Sequence, residues 1–215
     1  MVEAMNLMGY NAMALRASDL ELAEDVLGKH KAQAHFPWLS ANVVPPAVHE
    51  DRREPRFVNP YVLLDVDGHQ VGIVGLTDSS TLKTVGNVVV PDPTTALSQY
   101  MPELQAQTNI VIVLSGLDGA ANKALAEAVP GLDLIIGSGG LEVTTERWQS
   151  PQTGTLVWQL GVYAREHPGW PVTLINVTLD GAGRLTEFSG TYTELAPEIA
   201  DDPEIRSLLD SYRVR

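Results

Sequence analysis

The chain has no cysteine among its 215 residues. That removes disulfides, thiol nucleophiles and thiolate metal sites together, and leaves the redox compartment open. Basic residues are scarce: 14 Lys and Arg stand against 27 Asp and Glu, for a net charge of −13. Such a balance repels phosphate backbones and anionic lipid, so nucleic acid and membrane surfaces are poor partners. No apolar run approaches the length of a membrane span, and there is no internal repeat or low-complexity tract. Met1-Val2-Glu3-Ala4-Met5 lacks the basic start and apolar stretch of a signal peptide. The expected location is therefore cytoplasmic as the chain is written, with an extracytoplasmic one left open for a trimmed start. Histidine is limited to His30, His35, His49, His69 and His167. None has the i,i+4 spacing of a zinc pair, and no Gly-x-Ser-x-Gly elbow is present, so surface histidines are expected.

What is present is an alternation of apolar β-rich runs with helical patterns, the mark of an α/β protein. The pattern predicts a short helix over Val2–Met8 closed by Gly9, a strand over Ala12–Leu15 and a helix over Ser18–Leu27. Strands follow over Ser40–Val44 and Tyr61–Val66, with a tight Asp67-Gly68 turn into Gln70–Leu76. Asp92-Pro93 pairs an N-cap residue with proline at the first helical position. Ile110–Leu114, Ala120–Val129 and Leu132–Ile136 read as strand, helix and strand of a parallel crossover. From Thr155 onward the pattern turns to strands without helices: Thr155–Leu160, Val172–Leu179 and Leu185–Thr193, the last two joined at Asp180-Gly181. A second Asp-Pro start at Asp202-Pro203 opens a closing helix. The proline-rich, charged stretch 45–60 reads as a surface loop.

Several phrases carry a resemblance: "AMNLMGYNAMAL", "FPWLSANV", "YVLLDVDGHQVGIVGLTD", "IVIVLSGLDGAANKALAEAVPGLDLIIGSGG" and "GTLVWQLGVYA". In this order they resemble the 5′-nucleotidase branch of the calcineurin-like metallophosphoesterases. The resemblance implies a four-layer α/β/β/α sandwich, with the β-rich last third forming the second of two facing sheets. It implies residues 1–196 as the domain and 197–215 as a connector helix. Met1 then falls in the middle of the family's catalytic domain, so the first strands of the core are expected to be missing.

The same resemblance implies a chemistry, hydrolysis of phosphate esters by two metal ions, and lets its ligands be checked. Where the family has Gly-Asn-His-Glu, this chain has Arg16-Ala17-Ser18-Asp19, with Ala17 and Ser18 at the ligand positions. Ser-His-Leu-Gly is matched by Ser115-Gly116-Leu117-Asp118, with Gly116 in place of the histidine. Gly-His-x-His is matched by Ser138-Gly139-Gly140-Leu141, with Gly139 and Leu141 in place of the histidines. The Asp-x-His and Gly-Asp loops are expected upstream of Met1. Alanine, glycine and leucine side chains cannot coordinate a metal. No catalytic residue, metal ligand or cofactor is therefore expected, and the two-metal site is expected to be lost.

The former ligand loops then need another occupation. Ser18-Asp19-Leu20-Glu21 fits a capping box, with Ser18 and Glu21 satisfying the first N–H groups of a helix. Asp118 reads as an N-cap, and Asn176-Val177-Thr178 as a sequon falling by coincidence in a strand. Arg16 either pairs with Asp19 or offers its guanidinium to a carboxylate or phosphate. The functional expectation is an inactive homologue acting as a binding or assembly subunit. A protein partner or second copy would cover the uncovered strands, with the contact near Val2–Leu15. The alternative is a fragment of a metal-dependent phosphomonoesterase completed by another segment or chain.

Overall fold

Ile110–Ser115 is apolar on both faces until its last residue, and such a strand is stable only where both faces are covered. It lies third in a six-stranded sheet. The computed structural model describes residues 1–22, 24–44, 58–78, 84–85, 88–139, 146–160 and 171–213. In chain order these form helix α1 (Val2–Leu7), strand β1 (Met13–Ala14), a 3-10 turn (Ala17–Glu21), α2 (Glu24–Gln33) and β2 (Trp38–Leu39). β3 (Tyr61–Val66), β4 (His69–Leu76), β5 (Thr84–Val85), β6 (Val88–Val89) and α3 (Pro93–Gln107) follow. Then come β7 (Ile110–Ser115), α4 (Gly119–Ala128), β8 (Leu134–Gly137), β9 (Glu146–Gln149) and β10 (Leu156–Gln159). β11 (Pro171–Leu179), β12 (Leu185–Glu194) and α5 (Pro203–Arg213) complete the set.

The sheet runs β3-β4-β7-β8-β10-β9. β4, β7, β8 and β10 are parallel, and β3 and β9 are antiparallel edges. The expected adjacency of the β7 and β8 segments holds, with Val113 opposite Ile135. Because β4, β7 and β8 step in one direction, crossovers of one hand place α3 and α4 on the same face. α3 begins as its Asp92-Pro93 start requires, with Asp92 Oδ1 accepting the Thr95 N–H at 2.8 Å. It presents Leu97, Met101 and Leu104 to Val74, Val111 and Val113, at the spacing of one helical face. Full burial of each such leucine contributes about 1.5–3 kcal/mol. α4 adds Leu125 and Ala126 against Ile135 and Val157.

The opposite face carries strands. β1 and β2 form a parallel pair set against β4, where Ala41 N–H donates to the Gly75 carbonyl at 2.8 Å. α1, the 3-10 turn and α2 close over this pair through a second core of Val2, Leu15, Leu20, Phe36 and Trp38. The β11–β12 hairpin covers β10, its Phe188 ring 5.5 Å from Trp158 and near perpendicular to it. The order is helices, main sheet, strand pair with hairpin, helices: a four-layer arrangement whose second β layer is small. Among the described residues, no helix is long and apolar enough to cross a membrane.

Four expectations are corrected. Thr155–Leu160 does not belong to a second sheet; its β10 core joins the main one, parallel to β8, because Leu156 to Gln159 are buried on both faces. The Ser40–Val44 strand is displaced to Trp38–Leu39, since Ser40 and Asn42 turn their side chains into hydrogen bonds with Thr77. The helix over Ser18–Leu27 is instead a 3-10 turn followed by α2. Its cap is Asp19, as described below, and not the Ser18–Glu21 pair. The polar edge strand β9 had no alternation to announce it. Most of the 45–60 stretch, read as a surface loop, lies outside the described residues.

Candidate functional site

In open α/β sheets, ligands sit beyond the carboxyl ends of the parallel strands. Here the chain leaves β1, β4, β7 and β8 at one such edge, and backbone contacts draw these exits together. The Thr77 hydroxyl donates to the Leu15 carbonyl at 2.8 Å, joining the β4 and β1 exits. The Gly116 N–H donates to the Leu76 carbonyl at 2.8 Å, joining β7 to β4. The Ser138 N–H donates to the Ser115 carbonyl at 2.8 Å, joining β8 to β7.

The residues singled out from the sequence divide among these exits. Arg16 is the N-cap of the 3-10 turn, exposed, and makes no ion pair among the described residues. Ala17 and Ser18 form its first turn, with Ser18 exposed. Asp19 Oδ2 accepts the Arg16 N–H at 2.8 Å, and the Asp19 N–H donates to the Arg16 carbonyl at 3.1 Å. The N-cap is Arg16, two residues before the Ser18 that the S-x-x-E pattern suggests, which puts Asp19 and not Glu21 in position to reach back. Asp118 caps α4, its Oδ1 accepting the Ala121 N–H at 2.8 Å. Gly116 and Gly139 lie so close that a Cβ on Gly139 would overlap the Gly116 carbonyl. Leu141, with Gly140, lies outside the described residues, as do His49 and His167.

Behind the glycines is a buried polar network. Asn122 Nδ2 donates to Gln159 Oε1 at 2.7 Å and to the Leu117 carbonyl at 3.0 Å. Ser115 Oγ donates to Asn122 Oδ1 at 2.7 Å, and Gln159 Nε2 donates to the Gly139 carbonyl at 2.7 Å. A second network holds the β2 and β4 exits. Asn42 Nδ2 donates to the Thr77 carbonyl at 2.8 Å, while Asn42 Oδ1 accepts the Thr77 N–H at 2.9 Å. Sequence reasoning passed over Ser40, Asn42, Asn122 and Gln159. The available signal was a polar residue at the end of an apolar run, as in Val157-Trp158-Gln159, where burial demands a partner.

This arrangement can fix loops; it offers little to a metal. Among the described residues, no group of three or more His, Asp or Glu could hold an ion. The aligned ligand positions at Ala17, Gly116 and Gly139 have no donor side chain, and the space beside Gly139 is filled by backbone. Among the described residues, those at the aligned positions do not fit the two-metal centre that the resemblance implies.

No family model matches the chain. The 5′-nucleotidase of Bos taurus is 26% identical over 228 residues, which cover 98% of this chain and 39% of that protein. The crystal structure of a 5′-nucleotidase precursor from Thermus thermophilus matches with a TM-score of 0.80 at 26% identity, over 98% of this chain and 44% of that one. The calcineurin-like phosphoesterase YfkN from Bacillus subtilis has the same fold, at a TM-score of 0.71 and 20% identity over 99% of this chain and 72% of its own. In sequence and in fold the chain is similar to the 5′-nucleotidase branch of the metallophosphoesterase superfamily. It spans less than half the length of the bovine protein and of the Thermus chain.

Proposed function

We propose that this chain is a non-hydrolytic member of the branch that serves as a binding or assembly subunit. The observation that carries the reading is the contact between Gly116 and Gly139. Two loops assigned by resemblance to metal ligation are packed backbone to backbone, and the polar groups behind them are spent on one another. Further support comes from β1, which among the described residues pairs only with β2. Its outer edge, at Ala12 and Ala14, offers small side chains and an open ladder to an added strand. A partner protein or second copy would seat there, within the Val2–Leu15 region. The test is incubation with manganese, cobalt or zinc and a panel of phosphomonoesters. No turnover above a buffer control is expected, and robust metal-dependent hydrolysis overturns the reading.

A second reading is favoured by one observation, the short span relative to the relatives. Here the chain is part of a working phosphomonoesterase whose metal ligands come from another segment or polypeptide. The reading accounts for the span but not for Ala17, Ser18, Gly116 and Gly139. The genomic sequence upstream of Met1 discriminates. A continuous frame encoding Asp-x-His and Gly-Asp favours this second reading, and its absence favours the first.

A further inference from the structure

α1 and the segment leading into α5 leave an apolar groove open to solvent. Its walls are Leu7 and Met8 at the C-terminal end of α1, Leu195, Pro197 and Ile199 of the connecting segment, and Ile205 of α5, around about 820 Å³. Leu7, Met8, Leu195 and Ile199 are exposed by 51%, 58%, 42% and 48%. Single exposed apolar side chains are ordinary, but a contiguous set around a concavity marks an interaction site. The groove lining includes three acids, Asp201, Asp202 and Glu204, and no basic side chain. Asp201 is paired with Arg206, and Asp202 Oδ1 accepts the N–H groups of Glu204 and Ile205 at 2.9 and 3.0 Å. Glu204 makes no ion pair among the described residues. Tyr212 donates to Glu3 Oε2 at 2.8 Å, tying α5 back to α1 and fixing the groove's width.

We propose that this groove docks a partner segment that presents an apolar anchor flanked by Lys or Arg. The charge argues for the flanks and against a second copy. A second copy would bring a like charge of −13 and no basic side chain at the groove lining to meet these acids. A segment with basic flanks gains at these acids, and its apolar anchor fills walls that water otherwise wets. The proposal goes beyond the non-hydrolytic reading and stands whether or not the chain turns over phosphate esters.

The test uses the full chain and a labelled peptide with central leucines between runs of lysine, beside the same peptide with glutamates in place of the lysines. Fluorescence anisotropy is expected to show the lysine form binding about tenfold more tightly, with a preference that fades as salt shortens the screening length. Met8→Glu is expected to weaken the lysine form about tenfold, and Glu204→Lys about threefold to fivefold. Glu187→Lys, an equal charge change on the distant hairpin, should leave binding within about twofold of the parent. Amide shifts should map to Leu7, Met8, Leu195 and Ile199, a readout independent of how any variant folds. Equal affinity for both peptides, no binding of the lysine form, or a Glu187→Lys effect matching that of Glu204→Lys overturns the proposal. So does a dimer in sedimentation that Met8→Glu dissolves, because it makes a second copy the occupant.

Discussion

Gln159 Nε2 reaches across the strand ends to the Gly139 carbonyl, 2.7 Å away, and so closes the carboxyl edge of the parallel strands. The glutamine is nearly fully buried, so its remaining polar atom must be satisfied too, and Asn122 does this. The two side chains act as a unit. Asn122→Ala is expected to cost about 1–3 kcal/mol, the penalty for leaving buried partners unpaired. Gln159→Leu should cost a similar amount. The double variant should fall short of the sum by about 0.5–3 kcal/mol, because the second change removes a group that the first has already orphaned. Urea melts of the four proteins check this, and strict additivity would show that the network has no collective role.

Gly139→His restores the histidine that the resemblance expects, and the structure predicts that it does not restore a site. The new Cβ would meet the Gly116 carbonyl, which is backbone and cannot swing aside as a side-chain tip can. Overpacking of this kind costs about 1–3 kcal/mol. Chemical denaturation should show that loss, and calorimetry with zinc should show no tighter binding than the parent. A variant of parental stability with a new zinc site would mean the two loops part easily.

Most of the main sheet was legible, because its signals are local. Tyr61–Val66, Asp67-Gly68 and the Asp92-Pro93 start carry alternation, turn chemistry and capping within a few residues of one another. The backbone φ of 53° at Asp67 and 82° at Gly68 is the conformation such a turn selects. Less legible were elements defined by pairing alone. Trp38–Leu39 is too short for a period, and Glu146–Gln149 is a polar edge with no buried face to reveal it. Whether β10 joins the first sheet or a second depends on a distant parallel partner, Leu134 opposite Leu156, which no local pattern encodes. The same split holds at the site. Ala17, Gly116 and Gly139 could be read one by one as non-ligating, but the pairing of Asn122 with Gln159 spans 37 residues and appears only on folding.

The acid limb of stability should carry opposing signatures from Asp92 and Asp133. Hydrogen bonds from Thr95, first its N–H and then its hydroxyl, hold the Asp92 carboxyl below its ordinary 3.8, with slight burial opposing. A lowered folded value means the stabilisation is full above 3.8 and is lost as pH falls through the folded value. Asp92→Ala should therefore cost about 1 kcal/mol near neutrality and less in acid, while Asp92→Asn keeps the cap and flattens the dependence. Asp133 is the reverse case. Burial raises its carboxyl above 3.8, and only the hydrogen bond from Val111 N–H opposes that. The ionised form is penalised in the folded state, and the penalty sets in as pH rises through 3.8 toward the raised value. Asp133→Asn should stabilise the protein above that value and make no difference below 3.8. Thermal melts across pH check both signs, and parallel curves for either variant and the parent would refute the assignment.

The β11–β12 hairpin should be the first part of the fold to open. A two-stranded sheet is marginal by itself, and this one is held to the main sheet by the packing of Phe188 and Gly190 on Trp158. The register places Phe188 opposite Val177 and Gly190 opposite Ile175, so these residues share the face turned toward β10. Outward-facing Leu174 and Val172 are exposed and contribute little to the attachment. A methyl at Gly190 would overlap the Trp158 ring, so Gly190→Ala must either displace the indole or lift the hairpin. The indole is clamped by Arg147, whose guanidinium carbon lies 5.3 Å from the ring centroid, so lifting is the expected response. Hydrogen exchange should then accelerate across residues 172–193 while Ile110–Ser115 keeps its protection, the pattern of a local opening. Phe188→Ala should produce the same pattern through loss of the edge-to-face contact, worth about 0.5–1.5 kcal/mol beyond area burial. If either variant instead exposes the hairpin and β7 together, the hairpin is a cooperative part of the main core and its attachment extends well beyond Trp158.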